Sequence, residues 1–260
     1  MNPAVPSWAG VAASAALVLV AIGVAWRGRL GLVRDIAVAA ARAAVQLAAV
    51  GAILSLIFTH TGLLGGLGWL VLMVLLAGRV AAGRARGLPG ARRIATMAVG
   101  LGTATTVGVL LGLGVVSSDN RVIIPVGGMV VSTAMQATAL TLRRIRDEAR
   151  TQRAAIEARL ALGLPAAEAF APYLRGGLRT ALIPSIDSTK VVGLISLPGA
   201  MTGLILAGVG PFTAIRYQIV VMYMLLAAAA LAAATGARLA ERALFDDAHR
   251  LRIPESSTKG

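Results

Sequence analysis

The sequence predicts an all-α, polytopic membrane protein of about seven spanning helices, and three observations carry that reading. The 260 residues are 57% hydrophobic and only 14% charged, against about a quarter charged in ordinary soluble domains. Mean hydropathy is +0.81. The apolar residues gather in continuous runs of the roughly 20 residues needed to cross about 30 Å of hydrocarbon. They do not alternate with polar residues as barrel strands do, so the spans are helices that satisfy their own backbone.

The runs fall at 8–26, 36–58, 63–82, 94–116, 122–142, 183–208 and 214–236. Lysine and arginine mark alternate connections. Arg27, Arg29 and Arg34 follow the first run, Arg79, Arg84, Arg86, Arg92 and Arg93 border the third connection, and a basic stretch from Arg143 to Arg179 forms the fifth. The tail adds Arg238, Arg242, Arg250, Arg252 and Lys259, whereas "MNPAVPS" and "THTG" hold none and the fourth loop holds only Arg121. The N-terminus is therefore expected outside and the C-terminus inside. The positive charge follows the first run instead of preceding it, which is not the pattern of a cleaved signal peptide. The net charge of +14 belongs to these loops, where it meets membrane lipid headgroups. No nucleic-acid motif accompanies it.

The connection over 143–180 is unlike the others. Ile145, Ala149, Ile156 and Leu160 recur at three-to-four spacing, which predicts a helix. Gly163 is a helix stop and Pro165 a first-turn residue of the next helix. The fifth span should thus continue into the cytoplasm as a stalk and break at "LGLP". A helix bearing Phe170 and Tyr173 then returns, and this helix–break–helix forms a docking surface. The tail over 237–260 is expected to be cytoplasmic.

Some chemistry is excluded. There is no cysteine, hence no disulfide and no thiolate metal site. No P-loop glycine run ending in Gly-Lys-Ser/Thr is present, so any ATP and Mg would sit on another chain. His60 and His249 are expected on opposite sides of the membrane. Within the spans, Gly108 and Gly112, and Gly199 and Gly203, have the spacing of close helix packing. Arg42 and Gln46 share a face of the second span, where Arg42 either snorkels to the interface or serves a pathway. Asp187 and Lys190 share a face at i, i+3 and can neutralise each other. Pro184 before them and Pro198-Gly199 after them invite a broken helix. Met129, Met135 and Met201, with Asp187, are candidate soft and hard ligands for a metal cation, although methionines in apolar helices also simply fill gaps.

Four stretches carry a resemblance: "ARAAVQLAAVGAIL" (41–54), "VIIPVGGMV" (122–130), "ALGLPAAEA" (161–169) and the long block from Ala181 to Tyr223. Together they resemble the FetB-type iron-export ABC transporter permeases, a family that includes the plant aluminium-sensitive proteins. The resemblance implies that 1–260 is a single transmembrane permease domain in the cell membrane, without its own ATPase. It implies an ABC ATPase subunit and a second copy of the chain as partners. "IEARLALGLP" is similar to the Glu-Ala-Ala coupling loop of ABC permeases, with Glu157, Ala158 and Gly163 in matching positions. Where family members often have Gly-Asn-Ala-Met, this chain has Ser132-Thr133-Ala134-Met135, which removes an amide from a lining position.

The expected function is export of a metal cation, iron by resemblance, with ATPase coupling through Glu157, Ala158, Gly163, Phe170 and Tyr173. The candidate pathway is Arg42, Gln46, Asp187, Lys190, Pro198 and Gly199. The alternatives are a permease for a nucleotide-sugar such as UDP-glucose, for which Lys190 and Arg42 would outweigh Asp187, and an ATPase-independent carrier or channel. A scaffold that merely presents the 143–180 loop is a further alternative.

Overall fold

A computed structural model describes residues 7–60, 62–246 and 248–252, apart from the side chains of Trp8 and residues 58–60. The expectations placed on the first six residues, on the His60 side chain and on Lys259 fall outside the described residues. Among the described residues the chain is helical without named strands: α1 Trp8–Arg27, α2 Val33–His60, α3 Leu63–Arg84, α4 Ala91–Gly112, α5 Asn120–Thr151, α6 Arg153–Ala161, α7 Ala166–Val191, α8 Gly199–Leu206 and α9 Pro211–Leu244. Six of these helices (α1–α5 and α9) are long and apolar enough to cross a membrane.

The predicted sixth span, 183–208, is not one helix. Its first third is the end of α7, a non-helical break follows over 192–198, and α8 is too short to cross alone. Pro184 does not make this break. It lies inside α7, where packing against α5 and α9 outweighs the loss of a single backbone donor. The break comes at Gly193, whose φ of +84° is left-handed, and at Pro198, which disfavours helix in the residue before it. Gly193 N–H donates to the Ser196 carbonyl at 3.0 Å, closing a small loop. The broken element still returns the chain across the bundle. Val126 and Val130 of α5 pack with Val221 and Met224 of α9, and farther along Leu142 and Ala149 pack with Ala237 and Leu244. α5 and α9 therefore run parallel, which requires one crossing between them.

α5 is the axis of the bundle, packed by α3, α4, α7 and α9. Two contacts set how closely its neighbours approach. A Cβ on Gly78 would come within 2.7 Å of the Thr96 Cα, between α3 and α4, and a Cβ on Gly102 within 3.1 Å of the Ala232 amide, between α4 and α9. Gly108, Gly112, Gly199 and Gly203, the glycines with packing spacing in the sequence, have nothing within 4 Å. Spacing shows that two small residues share a face, whereas only tertiary contact shows what lies opposite. At the end poor in arginine, Asn120 Nδ2 donates to the Gly62 carbonyl at 2.9 Å and ties the α2–α3 turn to the start of α5.

The α1–α2 hairpin stands apart. α1 and α2 pack on each other and make no substantial contact with the rest. None of the apolar window of α2 is buried.

Candidate functional site

At the arginine-rich end the chain forms a compact knot. α5 runs on past its apolar part to Thr151, so the stalk expected from the sequence is present. Ile145, Ala149 and Ile156 are fully buried there with Phe170 and Leu244. Gly163 ends α6 with φ +87°, the left-handed stop that glycine permits. Pro165 stands at the N-cap of α7, one position before the predicted first turn. Phe170 lies beneath the surface: it is 0% exposed, with the Phe245 ring edge-on at 5.8 Å and Tyr173 at 6.2 Å. It anchors the turn and presents nothing to a partner, a correction to its place on the expected docking surface. What the turn does present is Leu162, 80% exposed, flanked by exposed Ala158 and Gly163. Glu157 is half exposed and pairs with Arg153 at 2.7 Å, a surface pair of small energetic weight.

The tail expected from residue 237 is partly built into the fold. Residues 237–244 are the last turns of α9, buried through Ala237, Ala240 and Leu244, which share one face. The chain then folds back over 245–251. Asp246 accepts hydrogen bonds from the Arg250 and Ala248 amides at 2.8 and 3.0 Å and pairs with the Arg250 guanidinium at 2.9 Å. Above all the Arg250 amide bond, then the Arg250 side chain and the Ala248 amide, hold its carboxyl below the ordinary carboxylate range. His249 Nδ1 accepts from the Ala166 amide at 3.4 Å and so caps the first turn of α7.

From this knot α7 runs without interruption to a cleft of about 460 Å³ between α5, α7 and α9, with a polar side set in a largely apolar lining. Thr133 and Gln136 of α5 face Ser185, Ser188 and Thr189 of α7 across it. Met222, Leu225 and Leu226 of α9 form the apolar wall, and Arg84 and Arg143 line it as well. The Ser188 and Thr189 hydroxyls both donate to the Ser185 carbonyl, at 2.9 and 2.8 Å. Their protons are thus committed to backbone and their oxygens are left as acceptors. The lining holds hydroxyls, an amide and two guanidinium groups, and no carboxylate.

The family model described as "Uncharacterised protein family (UPF0014)" matches residues 8–245. The chain belongs to the UPF0014 family. Relatives of this UPF0014 protein include the rice (Oryza sativa subsp. japonica) "UPF0014 membrane protein STAR2", 41% identical over 92% of this chain and 84% of the relative. "Protein ALUMINUM SENSITIVE 3" of Arabidopsis thaliana is 36% identical over 92% and 88%. The "Probable iron export permease protein FetB" of Escherichia coli (strain K12) is 34% identical over 94% of each chain. No solved structure matches. Family membership and the six long apolar helices make this UPF0014 chain a multi-pass membrane protein.

Only some of the residues singled out in the UPF0014 sequence come together. Asp187 and Lys190 do pair, at 3.3 Å, but with side chains 60% and 68% exposed, and neither lines the cleft. Pro198 and Gly199 sit at the start of α8. Met129 packs against the cluster of Val126, Val130 and Val221, and Met135 packs against two different clusters. Met201 lies on α8. The candidate metal set is dispersed, and among the described residues no group of three or more His, Asp or Glu could hold a metal ion. Arg42 and Gln46 are exposed on α2. Sequence reasoning missed Gln136, Ser185, Ser188 and Thr189. For the three hydroxyls the signal was present in "PSIDST", where Ser185, Ser188 and Thr189 share one helix face at i, i+3 and i+4. The charged residues drew notice, while the hydroxyls beside them face the cleft.

Proposed function

We propose that this chain is the permease subunit of an ABC exporter, driven by a separate ATPase that docks on the Leu162–Gly163 turn. The observation that carries the proposal is α7. One helix of 26 residues, roughly 39 Å long at 1.5 Å per residue, joins the exposed turn at one end to the cleft and the break at the other. Movement imposed on the turn would reach Ser185 and Thr189 through a rigid element and not through a loop. Glu157, Ala158 and Gly163 surround the same tip, and Phe170 and Tyr173 hold it in place. The chain has no nucleotide site of its own in its sequence, so ATP and Mg belong to the partner. The name of the Escherichia coli relative, an iron export permease, supports iron as cargo and export as direction. A role in metal homeostasis follows from that.

A second cargo is favoured by the cleft itself. Its lining has Arg84 and Arg143, the latter also paired with Asp147 at 3.7 Å, and no carboxylate of its own, which suits an anionic solute, a nucleotide-sugar or a metal held in an anionic chelate, better than a bare cation. Purification of the tagged chain from native membranes tests the first reading. A near-stoichiometric P-loop ATPase should accompany it and be lost on Leu162→Asp with thermal stability unchanged. A chain that purifies alone and transports without ATP would overturn the reading in favour of a carrier or channel. Stimulation of the complex's ATPase by ferrous iron, against UDP-glucose, separates the cargoes.

A further inference from the structure

Two surfaces of this chain are unsuited to face lipid, and they match one another. One is on α2. Arg42 and Gln46 are exposed, with no hydrogen bond or ion pair to either among the described residues, on a helix whose apolar window is wholly unburied. Arg42 lies eight residues beyond Arg34 and six into the apolar run that begins at 36, a depth of roughly 9 Å. An arginine at that depth can lean back toward headgroups, but Gln46, a turn deeper on the same face, is too short to do so. Polar and ionisable groups so placed face protein or a water-filled cavity.

The other surface is the end of α7. Asp187 and Lys190 are turned away from the cleft, and the non-helical segment 192–198 follows them with Leu194 and Ile195 89% and 82% exposed. Irregular backbone at membrane depth is tolerated only where protein or water covers it. Gly177 packs against Arg144 and Ile145, at the arginine-rich boundary of α5. Asp187, ten residues farther along, is roughly 15 Å from that level and about 6 Å into the run that begins at 183, close to the depth of Arg42. Both helices run away from the same boundary, so Gln46 falls beside the break when Arg42 falls beside Asp187. Of the 11 acidic residues, Asp187 alone lies inside an apolar run. It is the one carboxylate that can meet Arg42 at that level, and α2 of the same chain does not reach it.

We infer that the Arg42–Gln46 face of α2 docks on Asp187 and the 192–198 break of a second copy of this chain, and reciprocally, so that two such contacts close a two-fold dimer. Asp187 is then shared between Lys190 and the incoming guanidinium. The interface deepens the permease reading, in which two copies enclose one path, and rests on it only for its purpose. It does not require the ATPase.

The chain has no cysteine, so introduced thiols are its only ones. Val38 and Ile183 are 47% and 46% exposed, each one helical turn from Arg42 and Asp187 on the side of the arginine-rich boundary. Two differently tagged full-length chains, one Val38→Cys and one Ile183→Cys, are co-expressed and treated in membranes with a short bis-maleimide. A band carrying both tags is expected, absent with either cysteine alone. It should fall several-fold when the second chain also carries Asp187→Asn, vanish with Asp187→Arg, and return when the first chain then carries Arg42→Asp. The inference is overturned if both thiols accept a monofunctional maleimide yet no doubly tagged band forms, or if the band ignores every charge change. A band that forms while no ATPase co-purifies would leave the interface standing and sink only the exporter reading.

Discussion

The knot at the arginine-rich end and the α1–α2 hairpin use apolar side chains in opposite ways. In the knot, Ile145, Ile156, Phe170 and Leu244 are buried within the one chain. In the hairpin, Leu17, Leu19, Val45 and Leu47 are all more than 60% exposed. The knot stands in water beyond the apolar runs, where apolar side chains gain by burying one another. The hairpin is solvated by lipid, where they gain nothing by it, and only its polar residues call for a partner. Exposure therefore carries different information in the two places. At the knot, exposed Leu162 is the exception that the proposed docking uses. On α2, exposed leucines are ordinary and exposed Arg42 is the exception.

The largest expected effect breaks the knot. Phe170→Ala should cost about 3–5 kcal/mol, the range for a buried aromatic truncated in a core. Leu47→Ala on α2 should change stability by less than about 0.5 kcal/mol. Thermal unfolding of the purified variants measures both, and equal losses would mean that the hairpin is packed after all. Glycines of one helix sharpen the same contrast. Gly102→Ala pushes against the backbone of Ala232 and should cost about 1–3 kcal/mol. Gly108→Ala, six residues on in open space, should stabilise by up to about 1 kcal/mol, because alanine is the better helix former.

A smaller effect is expected at the turn. Gly163→Ala forces a side chain into the left-handed region and should cost about 1–2 kcal/mol, seen as faster amide exchange over 160–165 with the bundle unchanged. The smallest concerns the fold-back over 245–251. Asp246 has a lowered carboxyl pKa, so its contribution is present above the ordinary carboxylate range and is lost as pH falls through the lowered value. Trypsin cleavage after Arg250 should be slow and should not change with pH across the neutral range, where Asp246 stays ionised, and Asp246→Asn should speed it.

Much of the fold was legible because hydrocarbon thickness and loop charge act on sequence directly. Six of the seven apolar runs reappear as long helices, α5 and α9 extending past theirs at the basic end, while the sixth is broken over 192–198. The stalk follows from Ile145, Ala149 and Ile156, and Gly163 from its role as a stop. The candidate site was less legible. Asp187 and Lys190 were conspicuous as charges, but their side chains leave the helix on the face away from the cleft, whereas Ser185, Ser188 and Thr189 are inconspicuous and line it. Phe170 resembled a docking residue because an aromatic on a short amphipathic helix reads the same whether its apolar face meets a partner or its own core.

Composition, the length of the apolar runs and the placement of arginine determined by themselves that this is a helical, multi-pass membrane protein with a helix–break–helix at its basic end. These depend on transfer of each segment between water and lipid, a property of the segment alone. The tertiary structure decided where the sixth crossing breaks, which glycines touch a neighbour, which side of α7 faces the cleft and that α2 is left without cover. Each of those depends on what lies opposite a residue across tens of positions of chain, and no local pattern records it.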